Sequence, residues 1–261
     1  MNDPHVKALY YRVVPGKNVD YDRAPPIEED IGEFKISIDG STAVFEMKTH
    51  CATADEARAV VDDYLRRWEV LIGLEHDPDD LRFAFKHADI IDRSPPATDK
   101  DVVNLHAHIS AHVTVSGDVS VHLSRGKYPS RPNKFAVSPD VETMYLRFRA
   151  YCQNRESLTS MAYICLTVLE ASASSRKNAS KQYCVDYAIL DVLGKLCSTK
   201  GDVAEARKAP KGGQFIPLSQ KEREWIVSAI KMLIRRAGEY AYDPGASLKQ
   251  LTMKDLPDPA T

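Results

Sequence analysis

No histidine follows His122 in this chain of 261 residues; all eight lie before Leu123. The second half therefore has no imidazole to act as a general base or to activate a cysteine. The five cysteines (Cys51, Cys152, Cys165, Cys184 and Cys197) show no C-x-x-C spacing, and their number is odd. Four of them fall at positions read as helical among apolar neighbours, so they are expected as reduced, packed thiols of a cytoplasmic protein, not a disulfide framework. G-x-x-x-x-G-K-[ST], G-x-G-x-x-G after a strand, G-x-S-x-G and H-E-x-x-H are all missing. Their absence disfavours P-loop hydrolysis, dinucleotide redox chemistry, an elbow serine and a zincin helix. The longest apolar stretch, around Met161–Leu169, is broken by Thr167 and followed by Glu170. It is too short to span a bilayer, so no membrane partner is expected. The start, Met-Asn-Asp-Pro-His, has no apolar run behind a basic flank, and no signal peptide is expected.

Charge is present in both signs but unevenly placed. Residues 1–120 hold 13 Lys+Arg against 23 Asp+Glu, a balance of −10; residues 121–261 hold 22 against 14, a balance of +8. The near-neutral total of −2 hides an acidic half that bears seven of the histidines and a basic half with none after His122. Such asymmetry suggests two modules that dock on each other, or one that meets an anionic partner.

The first half alternates with period two. Phe34, Ile36 and Ile38 share a face, and Ala43, Phe45 and Met47 repeat the pattern after Asp39-Gly40, which supplies the positive φ a tight hairpin needs. Leu81, Phe83 and Phe85 mark another strand, Leu105 to Val115 a long one, and Val119, Val121 and Leu123 its return. One helix interrupts them: Thr53 and Glu56 form a capping box, Ala57 through Ile72 keep helical spacing with Trp68 the largest apolar member, and Gly73 stops it. This helix is expected to cover the apolar face of the sheet.

After a Pro- and Lys/Arg-rich stretch from Arg125 to Lys134 the period becomes 3.6. Ser138-Pro139 opens a helix; Leu158 to Ala171, apolar nearly all round, is a central one; a third runs from about Asn178 to Leu196. A fourth opens with the capping box Ser219/Glu222, carries Trp225, and ends at Asp243-Pro244. The fold class expected is α+β: an N-terminal antiparallel sheet with one covering helix over residues 1–125, a basic linker at 126–137, and a four-helix bundle over 138–261.

Three constellations carry chemistry. In Asn104-Leu-His106-Ala-His108-Ile-Ser110-Ala-His112 alternation puts the three imidazoles on one face, and a turn at Ser116–Asp118 sets His112 across from His122. His112 and His122 are thus the candidate ligands for zinc or another divalent metal; otherwise the strand is a solvated polar face and no cofactor is expected. Asp39 with Glu46-Met47-Lys48 has the outline of the Asp…Glu-x-Lys arrangement that holds a divalent cation in restriction-type nucleases, although Asp39 stands in the turn itself. The competing reading is an ordinary charged strand face. The third constellation is basic: Arg125, Lys127 and Arg131 in the linker, Arg176 and Lys177 at the third helix, Lys200, Arg207 and Lys208 after it, and Arg235 on the last helix. Such charges hold phosphate backbones irrespective of base sequence, or face an acidic protein surface, or stay solvated.

Residues 138–241 resemble the HEPN-type helical domains of prokaryotic toxin and antiphage proteins. Met161-Ala-Tyr-Ile-Cys-Leu-Thr-Val-Leu-Glu170 is similar to their apolar helix ending in Leu-Glu, and the helix, turn and long last helix that follow keep their order. The RNase motif of that family, an Arg followed four to six residues later by a His, is missing. The resemblance implies a homodimeric, RNA-binding bundle of a bacterial defence or regulatory system and speaks against RNase activity. Together these features favour a non-enzymatic binding module for nucleic acid or an acidic protein surface; the alternative is a metal-dependent enzyme or nuclease using the His strand or the Asp39/Glu46/Lys48 hairpin.

Overall fold

Residues 34–47 fold as their alternation requires. Strands β4 (Phe34–Asp39) and β5 (Thr42–Met47) pair antiparallel with Ile36 opposite Phe45 and Asp39 opposite Thr42. The two loop residues are Gly40 and Ser41, and Gly40 holds φ at +53°, as a two-residue hairpin with glycine first demands. The computed structural model describes residues 3–17, 19–94, 123–202 and 215–258. Within them the hairpin belongs to a five-stranded antiparallel sheet of order β3-β4-β5-β1-β6, completed by β1 (Pro4–Pro15), β3 (Ile27–Ile31) and β6 (Leu81–Asp92). A short parallel pair joins β2 (Val19–Asp20) to β7 (Leu123–Ser124).

The interior strand β1, between β5 and β6, does not show itself in the sequence. Its register against β6 slips between Val6 and Ala8, so Lys7 is an extra residue and the buried positions run His5, Val6, then Ala8, Leu9. Beyond the bulge, Leu9, Tyr11 and Val13 point to the same face as Ile36 and Phe45. The first turns of helix α1 (Ala54–Glu75) cover that face: the Tyr11 hydroxyl donates to Asp62 at 2.6 Å, and the Arg58 guanidinium lies 4.6 Å above the Phe85 ring. Thr53 caps α1 through the Glu56 amide at 3.2 Å, and the Glu56 carboxylate returns to the amide of Ala52 at 2.8 Å.

Gly73 does not stop α1, which continues to Glu75. The glycine serves close approach instead. A Cβ there would run into the Tyr145 hydroxyl, and would stand 2.9 Å from Pro78 Cα. Tyr145 is itself fixed, donating to the carbonyls of Pro78 at 3.1 Å and Glu69 at 3.4 Å.

The chain forms two compact units: Met1–Asp62 with Asp79–Pro129, and Asp63–Pro78 with Ser130–Thr261. The second takes in the later turns of α1, whose Val70, Leu71 and Leu74 enter the helical core. Arg66 fixes them there with a two-pronged bond to Glu142 (2.9 and 2.7 Å) while lying 5.1 Å over the Tyr145 ring. The remaining helices are α2 (Pro139–Cys152), α3 (Leu158–Ser172), α4 (Arg176–Gln182), α5 (Tyr187–Thr199) and α6 (Gln220–Tyr242). Ser138, Ser157, Ser175 and Ser219 cap four of these starts, and Ser219 with Glu222 closes a full capping box.

Among the described residues five α-helices thus stand after the linker where periodicity predicts four. The expected third helix breaks at Cys184, which adopts φ +48°, and Asp186 caps a new start through Ala188. The break leaves backbone groups that residue 251 satisfies: Cys184 accepts from the Leu251 amide (2.9 Å), and the Asp186 amide donates to the Leu251 carbonyl (2.8 Å). Cys184 is therefore not helical, and Cys152 is exposed; Cys51, Cys165 and Cys197 are buried as expected, and burial pushes the Cys165 thiol up.

Candidate functional site

Strand register decides the carboxylate hairpin first. Glu46 stands opposite Lys35 while Asp39 stands opposite Thr42, so the two acids share a face but lie four residues apart along it. At about 3.4 Å per residue that is roughly 13 Å, too far to share a cation. Lys48 pairs instead with Asp30, whose hydrogen bond holds that carboxyl below its usual value. Among the described residues no group of three His, Cys, Asp or Glu side chains is placed to hold a metal ion. The strand expected to carry His106, His108 and His112, and the expected His112–His122 pair, fall outside the described residues.

A different histidine is set apart by its surroundings. His5 is 2% exposed on β1, its ring stacked on His50 at 5.4 Å, with Nδ1 lacking a hydrogen-bond partner among the described residues. Burial lowers its pKa, Arg93 and His50 add to the effect, and Asp3 opposes it. A His that stays neutral when folded but protonates when unfolded costs stability as pH falls below about 6.5. The urea midpoint is expected to decline from that pH downward, and His5→Phe, which keeps a ring, to flatten the decline. Superimposable pH profiles for the two proteins would refute the assignment.

The basic residues divide sharply by their partners. Arg125 is not a surface cation: it donates to Asp80 at 2.7 Å with 23% and 11% of the two side chains exposed. Beside it Tyr128 donates to the Gly40 carbonyl (2.8 Å) and stacks on Tyr21 at 5.1 Å, tying the segment to the sheet unit. Burial drives the Tyr21 phenol up to about 12. Arg176 binds Glu170 at 2.6 Å and Asp191 at 3.5 Å, its guanidinium lying against Gly194, where any Cβ would meet it at 2.7 Å. Lys200 reaches the largely buried Glu222 at 2.5 Å, which helps hold that carboxyl below its ordinary pKa against the opposing effect of burial. Arg235 pairs with Glu75 at 2.8 Å. Arg207 and Lys208 lie outside the described residues.

What remains outward is smaller and mostly lysine. Lys127 is exposed, as are Lys177 and Lys181, one turn apart on α4. None of these three lysines has an ion-pair partner among the described residues. Arg131 is exposed and, with Arg235, lines a crevice of about 180 Å³ within the helical unit. Because Asp63–Pro78 joins that unit, its balance is 22 Lys+Arg against 18 Asp+Glu, or +4, and the sheet unit's is 13 against 19, or −6. The asymmetry keeps its sign but halves in the helical unit. Among the described residues no helix is long and apolar enough to cross a membrane.

The pairing of Arg66 with Glu142 and the crevice that Arg131 and Arg235 both line are not legible in the sequence, where no local spacing joins residues so far apart. No family model, no curated protein and no solved structure matches the chain.

Proposed function

We propose that this protein is a non-enzymatic binding module whose helical unit holds the phosphate backbone of nucleic acid without reading its bases. The observation that carries the proposal is the outward pair Lys177 and Lys181 on α4, a helix with three cations and no acid. Lysine on a solvated helix face contacts phosphate as a point charge, which gives salt-sensitive and sequence-tolerant attachment. The structural employment of Arg125, Arg176 and Lys200 supports a small footprint of two to four phosphates rather than a broad basic groove. The absence of any His after His122 supports binding without Arg–His cleavage.

The test uses the full chain and a labelled 20-nucleotide single-stranded RNA, with anisotropy read between about 50 and 200 mM salt. Affinity is expected to fall roughly tenfold across that range, and Lys177→Gln/Lys181→Gln to lower the log–log slope by about 1.4. RNA incubated with the protein in excess chelator is expected to stay intact. Binding indifferent to salt, or absent at both ends of the range, removes the proposal. In that event, capture of an acidic protein surface becomes the reading to pursue.

A further inference from the structure

Arg131 and Arg235 stand far apart in sequence, yet they line one crevice together with Ser130, Asn133, Glu75 and Glu239. Two guanidinium groups, a hydroxyl and a side-chain amide give it a set of donors suited to a tetrahedral anion. Its two acids are not equivalent. Glu239 is engaged by the buried Arg236, whose Nε stands 3.0 Å away. Glu75 is engaged among the described residues by Arg235, at 2.8 Å, and both side chains are about 40% exposed (42% and 40%). An exposed pair of this kind stabilises little, whereas an arginine bound to phosphate through two parallel hydrogen bonds is among the stronger polar contacts.

We propose that the crevice is a phosphate subsite guarded by Glu75: an incoming phosphate takes Arg235 from Glu75 and draws further donors from Arg131, Ser130 and Asn133. Glu75 acts as a resident counter-charge that keeps the site weak for stray anions. The inference rests on the polyanion reading for the identity of the natural ligand, and phosphate binding itself is tested without nucleic acid. Glu75 closes α1, at the negative end of the helix dipole, so neutralising it should not harm the helix.

The probe is inorganic phosphate, titrated into the full chain at low ionic strength and followed by calorimetry or ³¹P line width. Glu75→Gln is expected to bind phosphate about 3–10-fold more tightly than wild type, since Arg235 is released. Arg235→Gln and, as a second variant should that one fold poorly, Arg131→Gln are expected to bind about tenfold more weakly. Glu224→Gln removes the same charge from an exposed position about three turns earlier on α6 and is expected to change nothing. The proposal is overturned by Glu75→Gln binding no better than wild type, by Glu224→Gln matching its gain, or by no phosphate binding to Glu75→Gln at about 20 mM, where even a millimolar site would be filled. A Glu75→Gln gain in a protein that binds no RNA would uphold the subsite and sink the nucleic-acid reading. RNA binding with no Glu75 effect on phosphate would do the reverse.

Discussion

Replacing Trp225 with alanine is expected to cost about 3–5 kcal/mol, enough to unfold much of the helical unit at 37 °C. The indole is 0% exposed on α6, in the core that also holds Leu166, Leu193, Ile226 and Ile230. A side chain of this size buries on the order of 200 Å², and neighbours fixed on separate helices cannot collapse into the space it leaves. The indole N–H has no hydrogen-bond partner among the described residues, so the loss is one of packing rather than of a polar contact. Trp225→Phe should accordingly cost only about 1–2 kcal/mol, because most of the volume is kept and no hydrogen bond is broken. Urea unfolding of the three proteins checks this. Equal losses for Phe and Ala would show that the indole edge, not its bulk, is what the core requires.

The elements legible in the sequence are those whose determinants are local. The β4–β5 hairpin is written in alternation and one glycine; α2 and α6 are written in Ser138-Pro139 and in the Ser219/Glu222 box. The elements that were not legible depend on distant residues. The bulge at Lys7 scrambles the period of β1, and the surroundings of an interior strand bury positions that alternation would leave wet. The break at Cys184 is stable because Leu251 takes up the freed backbone groups, a partner that no window over residues 176–199 contains. The ion pairs within the basic set are hidden from the sequence for the same reason. A charge count treats Arg125, Lys200 and Arg235 as available, but Asp80, Glu222 and Glu75, which are 45, 22 and 160 residues away, engage them. The candidate on α4, Lys177, was visible because exposed helix faces are locally encoded.

These ion pairs also bear on the kind of binding to be expected. A cation held by a largely buried acid, such as Arg125 by Asp80, cannot leave for a phosphate without stranding the carboxylate. Arg235 with Glu75 is solvated on both sides and can exchange partners. On the proposed reading, anion contacts are therefore expected at the crevice and on α4 rather than at the Arg125 segment.

Gly73→Ala offers the second large effect, and its sign runs against helix propensity. In an unencumbered helix interior the change should stabilise by about 1 kcal/mol. Here the new methyl would overlap the Tyr145 hydroxyl and stand 2.9 Å from Pro78 Cα, a backbone atom that cannot swing aside. Tyr145 is 1% exposed, and its hydroxyl donates to carbonyls on both sides of the glycine in sequence, so it has no empty space to rotate into. Overpacking of this kind costs about 1–3 kcal/mol and breaking the Tyr145 hydrogen bonds about 1 more, so that, less the propensity gain, the net is expected at about 1–3 kcal/mol of destabilisation. A second substitution separates the two neighbours. Tyr145→Phe alone should cost about 1 kcal/mol through the lost hydrogen bonds. Combined with Gly73→Ala it removes the atom nearest the new methyl, so the pair should lose less than the sum of the singles by about 1 kcal/mol. Losses that simply add would mean that Pro78, not Tyr145, sets the limit on α1. A stabilising Gly73→Ala would mean that the turn after Glu75 can open at little cost, and that the later half of α1 is held by Arg66 and its apolar face alone.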